Sequence, residues 1–191
     1  RGIRQVHTLL LTGVTINAFF SAAIMFLIAM SRSERLHSIL FWLMGDLSLA
    51  EGGDILTAGA VLLAGFGVMT AYARPLNLLA TGEETALQLG VDVSRTRVIL
   101  LVTASAVTSV AVAVSGAIGF VGLIIPHILR LLLGPDHRLL LPASILFGAA
   151  FLTAADTVAR LVMAPVELPV GVVTALCGAP FFVFLLHRRS L

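Results

Sequence analysis

Apolar residues dominate long stretches of this chain, and short polar stretches separate them. A helix needs about 20 mostly apolar residues to cross a bilayer, and several stretches approach that length. We therefore predict six membrane-spanning helices: Val6–Ala29, Ile55–Tyr72, Arg97–Ser115, Ala117–Leu133, Ala143–Ala164 and Val170–His187.

A seventh apolar segment, Leu36–Ala50, is too short to cross a bilayer and contains Asp46. It fits an interfacial or re-entrant helix better than a span. Trp42 within it suits a side chain anchored among lipid headgroups.

Composition supports the bilayer as the solvent of this chain. Hydrophobic residues make up 59% of it and charged residues only 12%, whereas soluble domains carry about 25% charged residues. The single cysteine, Cys177, excludes an internal disulfide. We predict an all-α fold, a polytopic membrane helical bundle in which residues 1-191 form a single transmembrane domain.

The arginines predict an orientation. All twelve basic residues are arginine, and cytoplasmic flanks of membrane spans carry an excess of positive charge. With both termini in the cytoplasm, only Arg32, Arg35 and Arg160 lie toward the outside. The other nine lie at the inner side: Arg1, Arg4, Arg74, Arg95, Arg97, Arg130, Arg138, Arg188 and Arg189. The basic pI of 9.5 then reflects topology, and no basic stripe alternates with aromatic residues as in a nucleic-acid surface.

Residues 73–96 predict a short capped helix between the second and third spans. Pro75 disfavours helix at Arg74 and so predicts the end of the preceding helix there. Thr81-Gly82-Glu83-Glu84 has the pattern of a capping box, in which the Thr81 hydroxyl accepts from the Glu84 backbone N–H. Gly90 suits the left-handed residue that ends a helix.

This predicted helix has Ala86, Leu87 and Leu89 on its apolar side. So short a helix is unstable alone, and something must stabilise it. It packs either against the spans of this chain or into a groove of a cytoplasmic partner.

Three glycines, Gly116, Gly119 and Gly122, precede Pro126 and His127. Small residues let membrane helices approach closely, so this run predicts a short, tightly packed crossing. A lone histidine in a span is expected to hydrogen-bond to a neighbouring helix. His127 has no second ligand at metal spacing, and we predict no metal site.

Asp156 and Arg160 are four residues apart in the fifth span, which places them on one helix face. Ionisable residues in a span are candidates for function, although the two would also neutralise each other. Arg160 lies near the outer boundary, where it can extend outward to an acidic partner. A proton path through Asp156 and Glu167 is a further alternative.

No catalytic or nucleotide-binding motif is present in the sequence. The chain has no G-x-x-x-x-G-K-[ST] loop for ATP, and no nucleophile, histidine and acid stand at a familiar spacing. We predict that the chain is not an enzyme and binds no cofactor.

Three blocks of sequence resemble one known family. They are ARPLNLLATGEETALQLGV, SGAIGFVGLIIPHILRLLLGPDHRLLLP and AADTVARLVMAPVELPVGVVTALCGAPFFVFLL, and together they resemble the FecCD-type permeases. These are membrane subunits of ABC importers for iron-siderophores, haem and cobalamin. The resemblance implies a type II importer permease fold and matches the C-terminal half of a longer permease.

The resemblance also implies partners and location. It implies a second permease copy, two ATP-binding subunits that carry the ATP, an extracytoplasmic substrate-binding protein, surrounding membrane lipid and no nucleic acid. The location would be the inner or plasma membrane of a bacterium or archaeon. Transport would proceed by alternating access, and the substrate is not distinguished among siderophore, haem and cobalamin.

The resemblance assigns roles to residues as well. Residues 73-96 match the cytoplasmic coupling loop, Arg160 matches a docking residue for the binding protein, and Leu36–Ala50 matches a short outer helix. The signature turn and crossing comprise Gly116, Gly119, Gly122, Pro126 and His127. The residues that would contact the ATPase are Thr81, Gly82, Glu83, Glu84, Ala86, Leu87, Leu89 and Gly90.

Other function classes remain open from the sequence. An ion-coupled secondary transporter would use Asp156, Glu167 or His127 as its coupling site. A non-transporting remnant of a permease would have no ATPase partner. An intramembrane enzyme would need paired catalytic groups, which are not evident.

Overall fold

The computed structural model describes residues 2–31, 33–48, 50–162 and 167–189. Arg1 and Arg32 from the predicted topology, Leu49, and Met163–Ala164 at the end of the fifth predicted span lie outside these residues. Every regular element that it describes is α-helix, which confirms the predicted all-α fold. The helices are α1 (Gly2–Ala29), α2 (Ser33–Met44), α3 (Gly52–Ala71), α4 (Ala73–Ala80), α5 (Glu83–Gln88), α6 (Val93–Ser115), α7 (Val121–Leu133), α8 (His137–Val162) and α9 (Val170–Arg189).

The chain divides into two compact units, Arg1–Leu40 and Phe41–Leu191. The first contains α1, whose apolar side chains are largely exposed, as suits a helix surrounded by lipid. Within the described residues, four helices are long and apolar enough to cross a membrane: Leu10–Ala29, Gly52–Ala71, Val93–Ser115 and His137–Val162.

One of the six predicted spans, α7, is shorter than a full crossing. α9 is a 20-residue helix, long enough to cross at about 1.5 Å per residue, and its apolar part includes Val170–Leu185. α7 has 13 residues, which at a rise of about 1.5 Å per residue gives roughly 20 Å, less than the hydrocarbon core of about 30 Å.

The predicted start of α7 at Ala117 is wrong, because the backbone after α6 cannot continue as helix. Gly116 has φ +72° and ψ −168°, a conformation essentially restricted to glycine. Phe120 also has a positive φ, +66°, and α7 begins only at Val121.

In contrast, α6 and α8 begin earlier than predicted. The backbone N–H of Arg95 donates to Asp92 Oδ1 at 3.0 Å, so Asp92 caps α6 and the helix begins at Val93. Asp136 caps α8 in the same way, since its Oδ1 accepts from the Arg138 N–H at 2.9 Å. Short polar residues favour such N-cap positions.

The second unit is an antiparallel bundle in which α3 packs on α6 and α8 packs on both α7 and α9. A small cluster of Ile125, Leu129 and Leu140 forms the core between α7 and α8. Gly65 allows the close approach of α3 and α6, because a Cβ there would overlap the Val107 side chain. The bundle has a loop end, which carries α4 and α5, and an Arg160 end, which carries the last turns of α8.

An open cavity of about 320 Å³ lies between α3, α6, α7 and α8. Its lining is almost wholly apolar and includes Phe66, Val107, Pro126 and Ile145, with the Ser144 hydroxyl as a polar exception.

Backbone hydrogen bonds tie the irregular segments together at the Arg160 end. The Asp46 N–H donates to Ser115 O at 3.0 Å, and the Gly171 N–H donates to Gly45 O at 3.2 Å. Trp42 Nε1 donates to Ala113 O at 3.2 Å, so the indole is fixed to α6 rather than serving only as a headgroup anchor. The segment 42–46 thereby joins the end of α6 to the start of α9.

Two glycines make this arrangement possible. A Cβ on Gly116 would overlap Trp42 O, and a Cβ on Gly171 would overlap Met44 O. In contrast, Gly119 and Gly122 face open space within the described chain. The prediction of tight packing along the whole glycine run is therefore wrong for these two residues, and Gly116 alone of the three is closely packed.

We expect Gly116→Ala to destabilise the protein strongly. The strained backbone alone costs about 1–3 kcal/mol for a residue other than glycine, and the overlap with Trp42 O adds to that cost. Thermal unfolding in detergent measures it, with a shift of about 2–4 °C for each kcal/mol. Gly119→Ala is the matched control, and equal melting temperatures for the two variants would contradict this account.

Candidate functional site

The loop end begins with a helix that sequence reasoning missed. α3 ends at Ala71, and α4 begins at Ala73 after the single residue Tyr72. The prediction that Arg74-Pro75 ends a helix is wrong, because Pro75 is the third residue of α4. An N–H in the first turn of a helix has no partner in that helix, so proline costs nothing there.

The predicted capping box is also wrong. Thr81 has the αR conformation and closes α4, whereas an N-cap residue needs an extended backbone. Its hydroxyl donates to Leu78 O at 2.8 Å and not toward Glu84. Gly82 precedes α5 instead, with no side-chain cap, and α5 is shorter than the predicted Thr81–Gly90 helix.

α5 has one face against the bundle and one face exposed. Ala86 is fully buried, whereas Leu87 and Leu89 remain 58% and 60% exposed. Gly90 has φ +81°, the left-handed conformation predicted for it, and the next N–H, of Val91, donates back to Ala86 O at 2.9 Å. The short helix therefore packs on its own chain and also leaves apolar side chains uncovered, and contact with a cytoplasmic partner stays a prediction.

Two further features surround α5. Glu83, in its first turn, forms an exposed ion pair with Arg97 of α6. A groove of about 170 Å³ lies beside Leu89 and is lined by Arg74, Pro75, Leu78, Leu89 and Val91. The loop end thus offers apolar side chains, a groove and a positive charge on one surface.

A polar network connects α4 to the start of α8. Asn77 Nδ2 donates to Asp136 Oδ1 at 2.6 Å. Asn77 Oδ1 accepts from the His137 backbone N–H at 2.9 Å and lies 2.7 Å from His137 Nδ1, which therefore carries its proton. We call these three residues the Asn77 joint. The signals in the sequence were an amide within the apolar run Leu76–Ala80 and an N-cap acid before a long helix.

The joint perturbs the Asp136 carboxylate. The Arg138 backbone N–H, and after it the Asn77 amide, stabilise the charged form and lower the pKa of Asp136 below its usual value. Asp136 is therefore ionised at neutral pH and remains a hydrogen-bond acceptor for both groups.

At the Arg160 end, acidic groups surround one arginine. Arg160 Nε donates to Asp156 Oδ2 at 2.8 Å, and Nη1 lies 3.9 Å from Glu167 Oε1. Asp46 adds a weaker electrostatic interaction. The Arg160 side chain is still 43% exposed, so it is held by its own helix and remains open to solvent.

His127 differs from its prediction. Its Nε2 is buried without a hydrogen-bond partner in the described part of the chain, whereas a bond to a neighbouring helix was expected. Its ring lies edge-on to Phe181 of α9, with ring centroids 6.4 Å apart. Among the described residues, no group of three histidine, cysteine or acidic residues could hold a metal ion.

Comparisons with known proteins identify what the chain is similar to. A model of the FecCD transport family matches residues 1–188. The cobalamin import system permease protein BtuC of Halobacterium salinarum is 52% identical over 99% of this chain and 50% of its own length. The hemin transport system permease protein HmuU of Yersinia pestis is 43% identical over 98% of this chain and 56% of its own.

Two further matches agree with these. The Fe(3+) dicitrate transport system permease protein FecD of Escherichia coli is 42% identical over 96% of this chain and 58% of its own length. A solved structure, described as an inward-facing conformation of a proposed metal-chelate type ABC transporter, superimposes with a TM-score of 0.81 at 38% identity. It covers 93% of this chain and 58% of the other. The chain spans about half the length of the curated relatives that it matches.

We expect Ala86→Leu to loosen α5 from the bundle, because the Ala86 side chain is fully buried and overpacking costs about 1–3 kcal/mol. Limited trypsin digestion should then cleave faster at Arg95 and Arg97. Leu87→Ala is the control, since it shortens an exposed side chain and should leave the cleavage rate unchanged. Equal rates for both variants would contradict the assignment of the buried face.

Proposed function

Because this chain belongs to the FecCD transport family, we propose that it forms part of the membrane-spanning permease of an ABC importer. The substrate would be an iron chelate, such as a siderophore complex or haem, or cobalamin. The main support is similarity across almost the whole chain to permeases named for cobalamin, haem and ferric dicitrate. The matched family is a transport family, and several helices of the chain are long and apolar enough to cross a membrane.

The loop end would face the cytoplasm and receive the ATP-binding subunit. Leu87 is an exposed apolar side chain on a six-residue helix, and Leu89, directly after that helix, is another. The adjacent groove would accept side chains of the partner. The chain itself would bind no cofactor, and ATP would be bound and hydrolysed on the partner.

The charges of the bundle support this orientation. Five arginines lie at or near the loop end, namely Arg74, Arg95, Arg97, Arg130 and Arg138, whereas Arg160 lies at the opposite end. Positive charge favours the cytoplasmic side of a membrane. The protein would then reside in the inner or plasma membrane of a bacterium or archaeon.

The Arg160 end would face outward and meet the substrate-binding protein. Arg160 is exposed enough to contact an acidic partner while Asp156 keeps its guanidinium in place. On docking, the guanidinium would bind a carboxylate of the binding protein, either together with Asp156 or in its place.

Transport would require a second permease copy and would proceed by alternating access. Closure of two ATPases would displace the loop ends, and the permease halves would rock between inward-facing and outward-facing states. An ion-coupled transporter is less well supported, because Asp156 is already engaged by the Arg160 guanidinium.

We expect Leu87→Glu to abolish co-purification of the ATP-binding subunit while membrane insertion stays intact. A carboxylate in place of an exposed leucine would be desolvated in the partner's groove, which is unfavourable without a counter-charge. Affinity purification from the native membrane provides the measurement. Gln88→Glu adds the same charge one residue away without removing an apolar side chain, and it should have a smaller effect. Full co-purification of the Leu87→Glu variant would argue against α5 as the contact.

We expect Arg160→Glu to weaken docking of the binding protein, by about threefold or more at low salt, since exposed charge pairs contribute up to about 1 kcal/mol. Salt should reduce the difference. Asp156→Asn should strengthen docking instead, because Arg160 loses a competing partner. Binding to proteoliposomes at two salt concentrations measures both effects. The control is Thr157→Ala, whose hydroxyl donates to Thr153 O in its own helix, and it should leave the affinity unchanged. An affinity indifferent to both charge changes would remove this role from Arg160.

A further inference from the structure

We propose that Asn77 is a positioning residue that transmits movement of the ATPase-contacting segment to α8. The inference rests on the proposed function and concerns how force reaches the far side of the bundle. Its structural basis is the Asn77 joint, Asn77 with Asp136 and His137.

The connectivity of the chain gives this joint a role at the loop end. The 73–96 segment is joined covalently to α3 at one end and to α6 at the other. A displacement of α4 and α5 therefore moves α3 and α6 directly. The hairpin of α7 and α8 is joined to the segment only indirectly, through α6 at the Arg160 end and through packing of α3 on α8. The contacts between α4 and α8 are the ones that reach α8 directly from the segment at the loop end.

The joint uses every polar atom of the Asn77 amide. Its Oδ1 accepts from the backbone N–H and from the Nδ1–H of His137, and its Nδ2 donates to Asp136 Oδ1. These bonds reach two consecutive residues at the start of α8 from two directions. Hydrogen bonds are directional, whereas apolar surfaces can slide past one another, so the joint fixes the position of α4 against α8.

α8 carries that position across the membrane. It is one continuous helix from His137 to Val162, and Arg160 lies 23 residues after His137, a distance of about 35 Å at 1.5 Å per residue. The joint is at one end of this helix and the Arg160 cluster is at the other. One continuous helix, with Pro142 in its second turn, therefore connects the surfaces proposed for the ATPase and for the binding protein.

Exchanging the amide and the carboxylate between positions 77 and 136 tests whether the joint transmits movement or only contributes to folding. Asn77→Asp would place a carboxylate against Asp136, where the atoms now stand 2.6 Å apart, and like charges repel. In the double variant Asn77→Asp, Asp136→Asn, the carboxylate at 77 still accepts from His137. The new amide at 136 then donates to it, so the hydrogen bond is restored in the reverse direction.

The test follows the Arg160 end while ATP acts at the loop end. Cys177→Ser with Val162→Cys gives a single thiol at the end of α8, where Val162 is 66% exposed. The complete permease is reconstituted with its ATP-binding subunit, and the rate of maleimide labelling is measured with and without ATP plus vanadate. We call this single-thiol protein the parent. We expect ATP plus vanadate to change its labelling rate about threefold or more, a change that hydrogen bonds of about 1 kcal/mol each can produce.

The Asn77→Asp variant should lose this response, with equal labelling rates in the two conditions, and still co-purify with the ATP-binding subunit. The double variant should regain the response. Thr70→Ala is the matched control, because its hydroxyl donates within its own helix α3, to Phe66 O and Gly67 O, and it should respond as the parent does.

Two kinds of result would overturn the inference, and each would contradict a different part of it. An Asn77→Asp variant with a full ATP response, or a double variant without recovery, would contradict the joint alone. A parent that neither co-purifies with an ATP-binding subunit nor responds to ATP would instead contradict the proposed function on which the inference rests.

Discussion

The obligation to pair every backbone N–H and C=O inside lipid is the constraint on which this structure depends. Spanning helices satisfy it internally, but α7 begins after an irregular stretch and α9 begins after a loop. Backbone groups of the segment 42–46 supply the missing partners, since they bond to Ser115 O, Ala117 N and Gly171 N. Gly116 and Gly171 are glycines because the backbone of that segment lies where their side chains would be. The position of the Arg160 end follows from this pairing.

The long apolar elements and the Asp156–Arg160 pair were accessible from the sequence, because a helix period of 3.6 and the hydrophobic run length act locally. The Asn77 joint was not accessible, since Asn77 and Asp136 are 59 residues apart and no local pattern connects them. Thr81 satisfied the capping pattern yet belongs to the end of α4, because two helices compete for the same polar residue and the longer one prevails. His127 was expected to find a partner, and its surroundings are apolar and aromatic instead.

The two ends of the bundle differ in how they hold their charges. At the loop end, an uncharged amide connects an acid and a histidine across two helices, whereas at the Arg160 end the ion pair lies within one helix and in partial contact with solvent. A pair within one helix survives movement of that helix as a body. A network between helices is sensitive to their relative position, which is the property that a transmitting contact requires.

The exposed apolar face of α5 also bears on how the cell makes this protein. Leu87 lies on a short helix outside the apolar spans and Leu89 directly follows it, and on the proposed function the ATP-binding subunit covers both. A permease synthesised in excess of that subunit is an orphan with an uncovered hydrophobic patch, the kind of surface that chaperones and membrane proteases recognise. On the proposed function, balanced synthesis of the two chains would therefore be required for the persistence of the permease as well as for its activity.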